Sequence, residues 1–422
     1  MIKKCWSFVC FFILAVTAFG QNQKITIPDV DSAIYTRFNF SNQTIDTISN
    51  EAANVICTGP FRFNYCNIND DFDFEFSRFE DTVEFFDTKF YKWVEFSESV
   101  FSKKLEFLVA TVFEKISFDS SSFSGRTLFM MSKFYKGISF KEAHFKNNVT
   151  FSTNDFSGNI DFRSAKFEKK VVFSDLTLND DCKLDFRNTI LGDSIEFINI
   201  SKIPNLIDLT AVDFKVDNSK PILINLYKSD ISNIKLDYVH FKLFFQFDSL
   251  QEKTSGDEKE ITYQALLSNF KSRGQQESYK LLDIEHQTFK WQNSWASWLV
   301  WVPKYWWNFG YDKQYIFIWT FFFLIFFTFT NYFIIYSLNA NVYKMENVTD
   351  IQINKWRKKF GFNDFLSRLW FTFIYTASIF FRITLKLEKI NFNHKIGVSY
   401  LILIYVLGLV CLAYMANFVI QK

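Results

Sequence analysis

Hydrophobic residues recur along the first half of the chain with a period of eleven, neither the two of a strand nor the 3.6 of a helix. From Phe63 every eleventh residue is phenylalanine: Phe74, Phe85, Phe96, Phe107, Phe118, Phe129, Phe140, Phe151, Phe162 and Phe173. Leu184, Ile195 and Leu206 continue the count. A second series stands five residues later, at Phe79, Phe90, Phe101, Phe123, Phe134, Phe145, Phe156 and Phe167, with a one-place slip at Phe113. Two residues before the first phenylalanine is an aliphatic one, as in Val83, Val94, Leu105 and Ile116. Two before the second is a small one, as in Thr88, Ser99, Ser132, Ala143 and Asn154. Apolar-x-Phe sets two side chains on one face of an extended segment, because strand side chains alternate. Four or five residues then pass before the next inward pair, too few for a hairpin. Spacings of 2, 5 and 6 also exclude a helix. A coil that turns a corner after each short segment remains, and stacked coils of that kind make a β-solenoid.

These small-x-Phe units, alternately five and six residues apart, resemble the pentapeptide-repeat family in its Phe-rich form. The resemblance covers residues 61–247. It implies a mainly β chain folded as a right-handed, four-sided β-helix whose coils of about 22 residues rise ~4.8 Å each. It says little about function, since the fold carries many roles. Phe85, Phe96, Phe107, Phe118, Phe129, Phe140, Phe151, Phe162 and Phe173 are the expected core ladder, at roughly 1.5–3 kcal/mol per buried ring. From Leu176 onward Leu and Ile replace Phe, and Leu226, Ile231, Leu236 and Phe241 keep a five-residue step, so the coil is expected to narrow.

Solenoid ends expose strand edges and need caps. Residues 21–60 are the candidate at the N-terminal end. After a polar break near Lys253–Glu260, a helical pattern through Tyr263, Leu267 and Phe270 stops at Gly274 and resumes with Tyr279, Leu282 and Phe289. It predicts a helix–turn–helix cap or stalk, which together with a tryptophan-rich membrane-interface segment occupies 258–312. Trp291, Trp295, Trp298, Trp301, Trp306 and Trp307 then crowd together ahead of a long apolar run, as at a membrane interface. Residues 315–338 and 397–420 are long and apolar enough to span. Between them, in the segment 339–396, lies a shorter apolar stretch at 369–381, suited to a re-entrant or interfacial helix. This segment holds Lys344, Lys355, Arg357, Lys358, Lys359, Arg368, Arg382, Lys386, Lys389 and Lys395 against four acids, which places it on the cytoplasmic side.

Span, short helix, span is also the layout of two-span potassium-channel pore domains, which Tyr315–Ile420 resembles; Leu409 to Phe418 reads like the pore-lining helix. That resemblance implies a filter of pattern Thr-x-Gly-Tyr/Phe-Gly-Asp, whose glycines let carbonyls ring the ion. The nearest match is Thr384, Leu385, Lys386, Leu387 and Glu388, without glycine and with a central lysine. Such channels also keep the filter outside, opposite to the charge bias here. The expectation is therefore a degenerate pore-like module for anchoring or oligomerisation, with an ion-channel-like protein as the alternative. Asn331 and Asn417, each within a span, are placed either to hydrogen-bond between helices or to line a polar path.

Composition adds detail. Fifty-seven phenylalanines against 12 glycines fit both a repeated core position and lipid-facing helices. A formal charge of +2 gives no case for nucleic acid. Lys3, Lys4, the apolar run Cys5–Phe19 and the small pair Ala18 and Gly20 read as a secretory signal over 1–20. Cys57 and Cys66 bracket a short loop and are a possible disulfide in an oxidising compartment; Cys182 falls at an apolar position and reads as a buried thiol. His144, His240, His286 and His394 lack metal-ligand spacing, and His144 is expected to be solvated. Glu84, Glu95 and Glu106, eleven apart, form a row of acids on a solvated face. No phosphate loop, nucleophile elbow or HExxH is present, so neither an enzyme nor a cofactor is expected. The sequence reads as an exported, membrane-anchored binding or scaffold protein of the bacterial inner membrane. Its rod is placed in the periplasm and the 339–396 loop in the cytoplasm, with protein partners or further copies of the chain.

Overall fold

Short parallel strands, usually four residues on one face and two on the other three, wind into a β-solenoid in the computed structural model. The structure describes residues 34–35, 38–46, 54–214, 220–245, 255–344, 362–382 and 390–420, and the chain divides into two compact units at Asp283/Ile284. One turn runs through Phe61–Asn64, Asn67–Ile68, Phe72–Asp73 and Arg78–Phe79, which define the first to fourth faces. Val83–Phe86 then lies directly on Phe61–Asn64, 22 residues on. That register holds through Phe85, Phe107, Phe129, Phe151 and Phe173. Ten strands on the first face make about nine turns.

An eleven-residue spacing on a 22-residue turn sends alternate phenylalanines to opposite faces. Phe118, Phe140 and Phe162 stack at 5.2 and 5.3 Å from the third face. Phe129, Phe151 and Phe173 stack at 4.9 and 5.2 Å from the first. The two columns meet edge-on, as in Phe140 against Phe151 at 5.9 Å and 72°, a favourable aromatic geometry. The rings expected in the ladder, Phe85 to Phe173, all lie in this interior.

Two residues after each of these phenylalanines the backbone turns left-handed. Tyr65, Phe76, Asp87, Glu98, Val109, Ser120, Met131 and Glu142 all have φ between 45° and 60°. Each corner residue donates its N–H to the next turn, as Asp87 N to Leu108 O at 2.9 Å and Val109 N to Met130 O at 2.9 Å. The small column beside these corners is a hydrogen-bonding ladder. Ser132 Oγ accepts from Ala110 N at 3.0 Å, and Asn154 Oδ1 accepts from Ser132 N at 2.9 Å. Thr88 Oγ1, Ser99 Oγ and Asn154 Nδ2 donate to Phe63, Phe74 and Phe129 carbonyls at 2.7–2.8 Å.

Several sequence expectations are corrected. Phe113 is not a slipped ladder ring: Val112 is buried in its stead, and Phe113 stacks outside between Tyr91 and Tyr135. The count through Leu184, Ile195 and Leu206 breaks after Phe173, because the turn at Asn179–Cys182 carries two extra residues. Leu184 and Ile195 pair with Ile160 and Val171 in the aliphatic column, and Leu206 is exposed. The ladder continues instead at Phe186 and Phe197, stacked on Phe162 and Phe173. Of the expected N-terminal cap, Phe38–Ser41 and Thr44–Ile45 form strands that pair with Phe61–Asn64 and Asn67–Ile68, so they belong to the solenoid itself. Glu84 and Glu106 share the first face while Glu95 lies on the third, which removes the single row of acids. His144 is half-buried, its Nε2 2.8 Å from Glu168 Oε1, rather than simply solvated. Cys57 and Cys66 are buried free thiols, not a disulfide. Cys57 pairs with Phe79 in a ring column, whereas Cys66 sits in the small column before Asn67. Burial pushes the Cys57 thiol up to about 12 and raises Cys66 as well.

The coil does not narrow from Leu176 as expected: Val171 lies over Ile195 and Ile195 over Ile224, registers of 24 and 29 residues. Only the last shortens to 19, with Ile222 over Phe241, where two helices close the end. Helix α1 is Gly256–Ser272 and α2 is Gln276–Gln292, separated at Gly274 (φ +69). Ser255 and Glu258 form a reciprocal cap at the start of α1. Tyr263, Leu266 and Phe270 are buried, and polar side chains take up open carbonyls of the last turn. Asn269 donates to Ile231 and Ile234, Arg273 to Ile234 and Ser232, and Gln275 to Leu236. The expected stalk begins, therefore, as a cap.

Candidate functional site in the apolar helices

The second unit holds α3 (Trp301–Trp307), α4 (Tyr315–Asn341), α5 (Phe362–Phe380) and α6 (Lys395–Ile420). Helices α4 and α6 are long and apolar enough to cross a membrane. The stretch expected at 369–381 falls, except for Phe381, within the nineteen-residue α5, which packs against both.

Polar and apolar residues are distributed inside out. Phe321, Phe322, Phe326, Phe329 and Phe333 of α4 and Ile402, Leu403 and Val406 of α6 face outward. Asn331, Thr372 and Thr376 are fully buried. Asn331 Nδ2 donates to Thr376 Oγ1 on α5 at 2.8 Å, and Tyr400 OH on α6 donates to Asn331 Oδ1 at 2.9 Å. Thr330 Oγ1 lies 2.9 Å from the same tyrosine hydroxyl. One asparagine thus joins three helices, in surroundings where an unmet polar group would be costly.

Two features tighten this junction. Arg368 Nη2 donates to Tyr332 O at 2.6 Å, and its guanidinium lies 4.2 and 4.6 Å from the Tyr332 and Tyr336 rings. Gly408 lets α6 approach the end of α5 closely: a Cβ there would stand 1.9 Å from Phe380 O. Near the start of α4 and the end of α6, Trp306 stacks on Trp319 and Trp307 meets Tyr414 edge-on at 4.4 Å. Trp295, Trp298, Trp301 and Tyr305 stay exposed, a belt suited to a lipid headgroup layer.

Of the two intramembrane candidates, Asn331 bonds between helices. Asn417 is half-buried and makes no inter-helix hydrogen bond among the described residues. Thr384, Leu385, Lys386, Leu387 and Glu388 and the signal at 1–20 lie outside the described residues. Sequence reading missed Thr330, Arg368, Thr376 and Tyr400. The pattern along α4, where buried Thr320, Leu324, Phe327, Asn331, Ile335 and Leu338 follow three- and four-residue steps, marks Asn331 but none of these four.

Elsewhere, a cleft of about 700 Å³ lies between the last solenoid turn and α1, but its polar groups are engaged with each other, as in Lys228–Glu258 at 3.3 Å and Ser232 on Asp230. Among the described residues no cluster of His, Cys, Asp or Glu is arranged to hold a metal ion. No protein-family model, curated protein or solved structure matches the chain.

Proposed function

We propose that the chain is a membrane-anchored β-solenoid protein, with the rod acting as a binding or scaffold module on the exported side of a bacterial membrane. The carrying observation is the inverted packing of α4, α5 and α6, with phenylalanines outside and Asn331, Thr372 and Thr376 inside. Only an apolar surrounding favours that arrangement. The solenoid, with charged side chains outward and rings inward, suits water. The basic 339–396 segment supports a cytoplasmic loop, and the repeat supports kinship with pentapeptide-repeat proteins.

The test combines extraction with topology. Alkaline carbonate should leave the chain in the membrane pellet, and reporters fused after Leu338 and Lys422 should report the cytoplasmic and exported sides respectively. Release into the supernatant would sink the anchor; reversed reporters would sink the orientation. The ion-channel alternative draws on the order of long, shorter and long helices. Ion flux in liposomes that changes on Lys386→Ala is its distinguishing result.

A further inference from the structure

One stretch of the solenoid exterior departs from the rest. Tyr91, Phe113 and Tyr135 follow the second-face strands of three successive turns and stack outside, with centroids 4.9 and 5.2 Å apart and planes within 9° of parallel. Trp93 and Met131 beside them are about half exposed, at 52% and 47%. The charge changes over the same three turns. Segments 87–93, 109–115 and 131–137 carry five lysines against two acids. The equivalent segments 65–71, 153–159 and 175–181 carry six acids and no basic residue. Many solenoid lysines have a carboxylate partner, for example Lys103–Asp81, Lys104–Glu106, Lys170–Glu196 and Lys235–Asp208. Among the described residues, Lys89, Lys115, Lys133 and Lys136 form no such pair; Lys92 reaches Asp70 only at 3.6 Å.

We propose that this face docks an acidic polypeptide segment, whose apolar side chains cover the Tyr91–Phe113–Tyr135 ridge while its carboxylates meet the unpaired lysines flanking it. The proposal rests on the reading of the rod as a binding module and names the surface. Aromatic and methionine side chains concentrate in protein interfaces, and the unmatched positive charge fixes the sign of the partner. The three rings stack face to face along the solenoid and turn their edges outward. Both faces of Phe113 and one face each of Tyr91 and Tyr135 are thereby taken, which leaves little room for nucleic-acid bases to stack in series.

The test uses the full chain in detergent micelles and a fluorescein-labelled glutamate–tyrosine copolymer, read by anisotropy. Saturable binding is expected. It should weaken by about tenfold in the Lys89→Glu, Lys133→Glu double variant and in the Tyr91→Ser, Tyr135→Ser double variant, and stay unchanged on Lys146→Glu. Absence of saturable binding would overturn the proposal, as would an equal loss on Lys146→Glu. Polyglutamate binding as tightly as the copolymer would reduce the face to a charge effect and overturn it too. Tighter binding of polygalacturonate, an oligothymidylate or phosphatidylglycerol vesicles would assign the face to another class of partner. Because anchoring is scored by carbonate extraction, a failure here leaves the anchored-rod reading intact, and failure of the anchor leaves this binding result standing.

Discussion

Ser132 and Ala110 are neighbours in the small column, and exchanging their chemistry tests whether that column bonds or merely fills space. Ser132 Oγ is buried, accepts Ala110 N–H at 3.0 Å, and reaches Phe107 O at 3.3 Å and Met130 O at 3.1 Å. Ser132→Ala strands a buried donor and weakens a carbonyl contact, at about 1–3 kcal/mol. One turn earlier the position is already alanine, and among the described residues Thr88 N–H finds no acceptor there. Ala110→Ser supplies that acceptor and aims a hydroxyl at Phe85 O by the geometry Ser132 uses toward Phe107. A net gain of about 0.5–1.5 kcal/mol follows. For a unit of this size about 2 kcal/mol corresponds to a midpoint shift of roughly 4–8 °C. Thermal melts of the full chain in detergent, followed by the β-sheet circular dichroism signal, read both effects. A neutral Ser132→Ala together with a destabilising Ala110→Ser would show that only size matters in this column, and would refute the ladder.

Four further outcomes are expected. Phe140→Ala removes a fully buried ring that touches Phe118, Phe162, Phe145 and Phe151, and should lower solenoid stability by about 3–5 kcal/mol in the same melts. Val109→Asn should raise it by about 0.5–1 kcal/mol, since a β-branched residue at φ 59° is strained where asparagine is tolerated. Lowering the pH should loosen the C-terminal end of the solenoid. Burial alone would raise Asp208 and Glu258, but Lys235 and Thr210 for the first, and Ser255, Lys228 and Tyr227 for the second, hold both below their ordinary values. Their contribution is present above the ordinary carboxylate range and lost as pH falls through the depressed values, so amide exchange in α1 should accelerate below about pH 4. Gly408→Ala meets Phe380 O and should part α5 from α6, seen as faster proteolysis of the helical unit while the solenoid melt stays unchanged.

How much of this was legible depends on whether a feature is a pattern along the chain or a meeting across it. The eleven-residue count, the aliphatic and small columns and the two apolar runs are linear, and each led to the right architecture. The left-handed corners were invisible because no glycine marks them. Tyr65, Phe76, Glu98 and Val109 take that conformation because the turn above fixes it through a backbone hydrogen bond, overriding local preference. The extra pair at Asp180 and Asp181 misled the count, since Leu184 and Ile195 look like ladder residues until Phe186 and Phe197 are seen to stack on the column. Asn331 drew notice as an asparagine among phenylalanines. Its partners Thr376 and Tyr400 lie 45 and 69 residues away and carry no such contrast.

The phenylalanine excess makes one last distinction possible. In the solenoid a ring such as Phe140 is wholly enclosed, and outward aromatics such as Phe76 and Tyr91 are exceptions among Lys, Glu, Asp and Ser. In α4 the arrangement reverses, with Phe321 and Phe329 more than 60% exposed and Asn331 fully enclosed. The same side chain cannot find its free-energy minimum on the outside of one unit and the inside of the other if a single solvent bathes both. Water around the helices would expose an apolar surface far beyond that of a soluble protein. Lipid around the solenoid would strand ion pairs such as Arg163–Asp161 and Lys202–Asp180 in hydrocarbon. The contrast between the two units supports two solvents, and it is on that ground, rather than on helix length alone, that we propose a membrane anchor for the helices and water for the solenoid.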